Sequence, residues 1–462
     1  MQNRFSGFQE KRMIIFGEIV KRYWNGLLND VNDLDELAAD IKEQYGFYDE
    51  DMAFIKDHIR IAMGLDPTGE DDFRDELKLV RNFSVVKSPV IAKIDGPCEY
   101  CGEDSGPCRD TCLFESHVYR RSRGPVIVND KCLTCGRCVT ACDFGALADK
   151  IEFIPVIEIL KEKKNPVYAV VAPAIAGQFG ENVTLGQLRS AFKLMGFTDM
   201  IEVAMFADIL TIKEAFEFNH LVKTTEDFFL TSCCCPVWFN MTKKNYGDLY
   251  KHMSPSVSPM IASGRILKKL YPGCRVVFIA PCIAKKAEIK EEELKGAIDF
   301  VVNFRELKEI FNALQINPAE LPAEEKDQGS LGGRLYAKTG GVSFSVKTVV
   351  NRINPGRLIK LKAKKVDGVA ECRKILDDLS AGNVTEYNFI EGMGCVGGCV
   401  GGPRTIISVE KATQIVNEVA EDSLIMTPFD NLNVMKTLRQ LGINTVEEIM
   451  ENPETVRLLS RE

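Results

Sequence analysis

Eight of the sixteen cysteines of this 462-residue chain fall between Cys98 and Cys142. A stretch this short cannot enclose an apolar core of its own, so something other than side-chain burial has to hold it together. The chain opens with MQNRFSGFQEKR, which lacks the apolar segment of a secretory signal. No later apolar run approaches the ~20 residues needed to cross a bilayer. These features predict a soluble, cytoplasmic protein with no membrane partner. In the reducing cytosol thiols are not used as disulfide staples, and metal ligation is the expected role.

The spacing narrows the metal. KCLTCGRCVTACDFG places Cys132, Cys135 and Cys138 three residues apart and Cys142 four further on. This is the bacterial ferredoxin run, in which three thiolates wrap one cubane and the fourth reaches a second cluster. CEYCGEDSGPCRDTC repeats the plan with a longer loop: Cys98, Cys101, Cys108 and Cys112. The crossover assigns one [4Fe-4S] cluster to Cys98, Cys101, Cys108 and Cys142, and a second to Cys132, Cys135, Cys138 and Cys112. Two four-thiolate zinc sites are the alternative, but zinc sites usually pair C-x2-C knuckles set well apart. Asp143 stands where this run usually has proline. Two such clusters form an electron relay, and a consumer of the electrons should lie downstream.

The length suggests two to four structural units. Residues 1–85 carry apolar positions at helical spacing, as in IIFGEIVKRYWNGLL, and predict a small helical unit, with a turn or linker in the acidic DPTGEDDFRDE. Residues 86–150 form the ferredoxin-like 2[4Fe-4S] domain. From 151 to 462, β-rich runs (VYAVVAPA, CRVVFIAPC, IDFVVNF) alternate with helical segments, which predicts α/β layers with parallel strands; from about residue 411 the chain reads as helices. The expected fold class is therefore a multidomain α+β and α/β protein. A formal charge of -8 with no basic block argues against nucleic-acid binding. The four histidines form no HExxH pair, and no GK dipeptide marks a phosphate-binding loop.

Three further cysteine motifs follow: TSCCCPVW (231–238), APCIAKKAE (280–288) and EGMGCVGGCVGGP (391–403). Each follows a β-like run or lies in a glycine-rich loop, where backbone can approach an inorganic cluster closely. Tens of residues separate them, so only tertiary folding could unite them in one buried site. Cys274 and Cys372 lie outside every motif and read as small buried hydrophobes.

With these three motifs in this order behind a ferredoxin-like relay, the chain resembles the [FeFe]-hydrogenases from about Cys98 to its end; TSCCCP and the shortened third motif resemble the subgroup sometimes called group B. The resemblance implies a two-lobed α/β catalytic domain. It also implies that Cys235, Cys282, Cys395 and Cys399 hold the [4Fe-4S] part of an H-cluster, with Cys399 bridging to a diiron subsite bearing CO, CN and a dithiolate. Anchored on Pro236 and Trp238, Cys234 falls at the family's proton-donating thiol and Cys233 where serine is usual. Lys285 matches the lysine that hydrogen-bonds a cyanide; its plain alternative is a solvated lysine beside Lys286. Ala172, Pro173, Ser258 and Met393 match residues lining the diiron pocket. Met260 and Ala280 depart from the family's glutamine and methionine.

The resemblance also implies a proton route from Cys234 through Glu214 and Ser254 to Glu217. Glu214 and Glu217 are three apart on a predicted helix and share a side of it; as a bland alternative, both are solvated helix residues. The arginine that usually ends the route is missing, and Leu221 stands there. Glu288 matches a family acidic position, though KAEIKEEELK also reads as an exposed helix.

The activity implied is reversible H2 oxidation and proton reduction, exchanging electrons with ferredoxin or a similar low-potential carrier, after hydrogenase maturation proteins have supplied the diiron unit. At about 59 mV per decade, seven pH units place the proton couple near -410 mV, close to low-potential ferredoxins. An H2 sensor of low turnover, and a hydrogenase-like iron-sulfur assembly protein lacking the diiron unit, are the other readings. Neither the physiological direction, the carrier, oxygen tolerance, oligomeric state nor the role of residues 1–85 is legible.

Overall fold

The computed structural model describes residues 5–81, 86, 88–95, 97–98, 106–120, 124–231, 234–383 and 386–461. The chain forms two compact units. The first comprises Met1–Lys164, Cys282–Ala287 and Phe300–Asn317; the second comprises Asn165–Pro281, Glu288–Asp299 and Pro318–Glu462.

In the first unit the described part of the N-terminal stretch carries the helices Phe8–Trp24, Val31–Tyr45 and Met52–Ala62. Asp30 caps the second, accepting from the Asn32 and Asp33 amides, and Gly46 closes it at φ 67°, a conformation that glycine adopts without Cβ strain. Phe5, Phe8, Phe47, Phe54 and His58 pack ring to ring. Burial drives the His58 imidazole well below its ordinary pKa, and the Arg12 charge pushes the same way.

The cysteine-rich stretch is framed by an antiparallel pair, Ile91–Lys93 against Leu147–Asp149. Inside this frame two short helices each carry the third cysteine of a quartet: Pro107–Asp110 with Cys108 and Arg137–Ala141 with Cys138. A second antiparallel pair, His117–Arg120 and Gly124–Ile127, lies between them in the chain. The N-terminal helices hold this region directly. The Gln9 amide donates to the carbonyls of Val139, Cys142 and Leu147 at 2.6, 3.0 and 2.9 Å. Asp143, where the ferredoxin run usually has proline, accepts from the Gly7 amide at 2.8 Å and from Ser6 Oγ at 2.9 Å. Arg12 reaches Asp149 at 3.2 Å.

The second unit is built on parallel strands. Val167–Val171 pairs with Asp199–Glu202 on one side and Arg275–Ile279 on the other. A separate sheet runs in the order Ala363–Asp367, Phe389–Met393, Phe229–Leu230, again parallel. Helices Leu185–Leu194 and Ala204–Leu221 follow the first two strands, the alternation that the β-rich runs predict. Helix Ala204–Leu221 is buried along most of its length, as a core helix is, and it buries Asp208, Lys213, Glu214 and Glu217 along with its apolar side chains. Among the described residues no helix is long and apolar enough to cross a membrane.

Candidate metal centre

The relay quartets lie in the first unit. Cys138 and Cys142 are buried, and Cys98, Cys108, Cys112, Cys132 and Cys135 are half-buried; Cys101 lies outside the described residues. Burial pushes the Cys135 thiol up to about 11, and the nearness of Cys132 and Cys112 pushes it the same way. Cys138 is raised by burial and then by Cys135, Cys132 and Cys112, with Cys108 last. Cys142 is raised by burial, with Cys108 as its neighbouring thiol. Cys112 thus acts on Cys135 and Cys138, and Cys108 on Cys138 and Cys142. Cys138 and Cys142 share an apolar cluster with Val139, Ile91, Leu147 and Ile283, with Cys98 and Cys108 packed against it.

In the second unit the motifs sit at the carboxyl ends of the parallel strands, where open α/β sheets place their sites. Ala172 and Pro173 follow Val167–Val171, and the Ala172 amide donates to the Ile279 carbonyl at 2.9 Å. Cys235 caps helix Pro236–Asn245, and its Sγ accepts the Gly394 amide at 3.2 Å. Cys234 Sγ lies 3.8 Å from Met393 Sδ. These two contacts bring the first and third motifs together.

Tight backbone approach explains the glycines here. A Cβ on Gly392 would lie 2.2 Å from the Trp238 ring, and one on Gly401 would lie 1.9 Å from the Val396 carbonyl. A Cβ on Gly402 would meet the Pro281 carbonyl at 2.7 Å, and the same oxygen accepts the Arg404 amide at 3.1 Å. The residue preceding Cys282 is thus held against the third motif. Cys282 and Lys285 fall in the first unit; Cys282, Cys395 and Cys399 are half-buried. Cys233 lies outside the described residues.

Lys285 is buried, which removes its reading as a solvated lysine. Its neighbour Lys286 is buried too and pairs with Asp149 at 3.1 Å and with Glu306. Ser258 caps helix Pro259–Leu270, accepting the Ile261 amide at 3.4 Å, and Met260 is buried behind it. Cys274 and Cys372 are buried; the Cys372 thiol donates to the Met393 carbonyl at 3.3 Å, and burial, then the nearby Cys235, raises its pKa.

Glu214 and Glu217 are 0% and 2% exposed, so the solvated-helix alternative fails. Glu214 accepts from Thr231 Oγ1 at 2.9 Å, and Glu217 accepts from Ser254 Oγ at 2.6 Å. Glu288 is also buried, against the exposed-helix reading, because Arg461 pairs with it at 3.3 Å. Three participants escape a sequence reading. Lys213 pairs with Glu217, Ser256 donates to Glu217 at 3.1 Å, and Glu391 accepts the Gly340 and Ser343 amides at 2.7 Å each. Only Lys213 leaves a signal, its i,i+4 spacing to Glu217.

Among the described residues no three His, Cys, Asp or Glu side chains are arranged to hold a single metal ion. The donor chemistry fits iron-sulfur groups: grouped thiols, an amide donating to a cysteine sulfur, and a glycine loop with no room for side chains.

Fold and thiols together define an α/β iron-sulfur protein. Residues 165–403 match the family described as iron only hydrogenase large subunit, C-terminal domain, and residues 125–148 match the 4Fe-4S binding domain. The chain belongs to the iron-only hydrogenase large-subunit family. It is 27% identical over 379 residues to the NADP-reducing hydrogenase subunit HndD of Solidesulfovibrio fructosivorans, covering 69% of this chain but only 64% of that one. It is 24% identical over 439 residues to iron hydrogenase 1 of Clostridium pasteurianum (71% and 76%). A probable cytosolic Fe-S cluster assembly factor of Drosophila erecta is 20% identical over 381 residues (67% and 80%). An apo form of the [FeFe]-hydrogenase HydA1 from Chlamydomonas reinhardtii shares the fold with a TM-score of 0.56 and 21% identity, covering 66% of this chain and 98% of that one.

Proposed function

We propose that the chain is an [FeFe]-hydrogenase that interconverts H2 with protons and electrons and exchanges those electrons with ferredoxin or a similar low-potential carrier. The observation that carries this reading is the meeting of the first and third motifs, with the Gly394 amide on Cys235 Sγ and Met393 beside Cys234. In this reading Cys235, Cys282, Cys395 and Cys399 hold the H-cluster cube. When bound, the diiron subsite supplies the point at which hydrogen is split or formed.

The chain's own residues do the rest. Lys285, Ala172, Pro173, Ser258 and Met393 line and orient the pocket. Cys234 Sγ gives and takes the proton, and Glu214, Ser254 and Glu217 pass it, since charge crosses apolar protein only by hopping between titratable groups. Electrons travel through two [4Fe-4S] clusters, held by Cys98, Cys101, Cys108 and Cys142 and by Cys132, Cys135, Cys138 and Cys112. The neighbour relations of Cys112 and Cys142 support this crossed pairing.

The assembly-factor relatives favour a second reading, an iron-sulfur assembly protein without the diiron unit. The thiol of Cys234 beside Met393 and the buried acids support the enzyme instead. Protein matured with the hydrogenase maturation proteins should show infrared bands of iron-bound CO and CN and evolve H2 from reduced carrier. Normal cubane content without those bands would move the assignment to the assembly protein. Cys234→Ala should abolish turnover, lowering it at least about a hundredfold, with cluster content intact; retained activity would remove Cys234 as the donor.

A further inference from the structure

Glu217 has three partners, and one of them carries charge. Ser254 Oγ donates to one carboxylate oxygen at 2.6 Å; Ser256 Oγ donates to the other at 3.1 Å, and the Lys213 ammonium pairs with that same oxygen. Lys213 also donates to Ser256 Oγ at 2.9 Å, closing a ring of three groups. Lys213, Glu217 and Ser254 are each 2% exposed and Ser256 is fully buried. Lys213 comes from the same helix, one turn back, and both serines from the segment leading into helix Pro259–Leu270. On the same helix Glu214 accepts from Thr231, and Arg357 lies over the Phe218 ring at 4.8 Å and donates to Asn219.

Burying an ammonium is costly even when it is paired. A desolvated carboxyl with no cation beside it holds its proton and becomes a trap, whereas a neighbouring positive charge favours the carboxylate. A relay acid has to take a proton and release it in every turnover.

We propose that Lys213 is a positioning residue for proton transfer, which pairs with one oxygen of Glu217 and, through Ser256, turns the other toward Ser254. This role rests on the hydrogenase reading. In the inward direction Glu217 gives the proton on the Ser254-facing oxygen to Ser254 Oγ, while the Ser254 hydroxyl proton leaves toward Glu214. No electron moves, Lys213 keeps its own protons, and the carboxylate left behind is paired at once.

Infrared spectroscopy of protein carrying cubanes alone tests the pairing without turnover. Lys213→Met should show, near neutral pH, a protonated-carboxyl band that is absent from the wild type and that adding Glu217→Gln removes; Lys213→Arg should not show it. In the matured enzyme Lys213→Met should lower H2 evolution about tenfold or more and displace its pH profile, and Lys213→Arg should restore most of both. Lys213→Gln keeps a donor of similar bulk and gives the same readouts if the methionine variant does not fold. No new carboxyl band, with a pH profile superimposable on the wild type, overturns the role. Absence of iron carbonyl bands from the matured wild type would instead overturn the hydrogenase reading and, with it, this role.

Discussion

Asp208 illustrates what burial does to a single acid in this protein. It is fully buried, accepts from the Ser330 amide at 2.9 Å, Ser330 Oγ at 2.5 Å and Asn431 Nδ2 at 2.8 Å, and burial lifts its pKa to about 6 in spite of those donors. A folded-state value above the unfolded one means that the folded chain holds this proton more tightly. The contribution to stability is therefore complete below about pH 4 and is lost as pH rises through about 6. Melting of wild type and Asp208→Asn, compared from about pH 4 to about pH 7, should show the wild type losing up to about 3 kcal/mol relative to the variant. A constant difference would remove this assignment. The sequence reading was good for the second cysteine quartet as a motif, since its spacing is distinctive and residues 125–148 match the 4Fe-4S binding domain. It was weaker for Glu214 and Glu217, whose separation says that they share a helix side without saying which side faces water. The answer lies in their apolar neighbours Ile212, Ala215 and Phe218, all buried. Ser256 and Lys213 stayed invisible as a pair because 43 residues separate them.

Elements show why the N-terminal helices matter to the metal-binding stretch. Helix Phe8–Trp24 buries Phe8, Phe16, Ile19 and Val20, and from its first turn Gln9 satisfies three carbonyls around Cys142. The helical period of residues 1–85 was readable; what the helices cover was not, since no local pattern ties Gln9 to Cys142. Gln9→Leu would remove this donor and leave the Val139 and Cys142 carbonyls to the Cys142 and Gly145 amides, at a cost of about 0.5–1.5 kcal/mol per bond lost. The cluster absorption should then bleach faster under chelator, and the melting temperature should fall. Unchanged bleaching would mean that the contact is incidental to cluster retention. Parallel strands were legible because β-rich runs alternate with helical ones. Their pairing order was not, because register is decided by partners far away in the chain.

The whole molecule is divided differently from its linear order. Residues 282–287 and 300–317 belong to the unit that contains the two cysteine quartets, although they lie inside the stretch 165–403 that matches the hydrogenase family. Lys286 shows the dependence: its ammonium is buried against Asp149, Glu306 and the Lys150 carbonyl, at 2.8 Å for the last. A fragment of residues 165–462 would keep the Lys286–Glu306 pair but lose Asp149 and the Lys150 carbonyl, and it would strip residues 282–287 and 300–317 of the rest of their unit. We expect that fragment to be recovered unfolded or insoluble, judged by circular dichroism and soluble yield, while the full chain is soluble. A well-folded fragment would show that these segments do not need the first unit.

Ile283 belongs to the same apolar cluster as Cys138 and Cys142 and is joined to Cys282 by one peptide bond. A segment far along the chain thereby helps to wall two thiols of the cysteine-rich stretch off from water. Trimming that isoleucine would open a void beside those sulfurs, and the damage would be read first in how readily they oxidise.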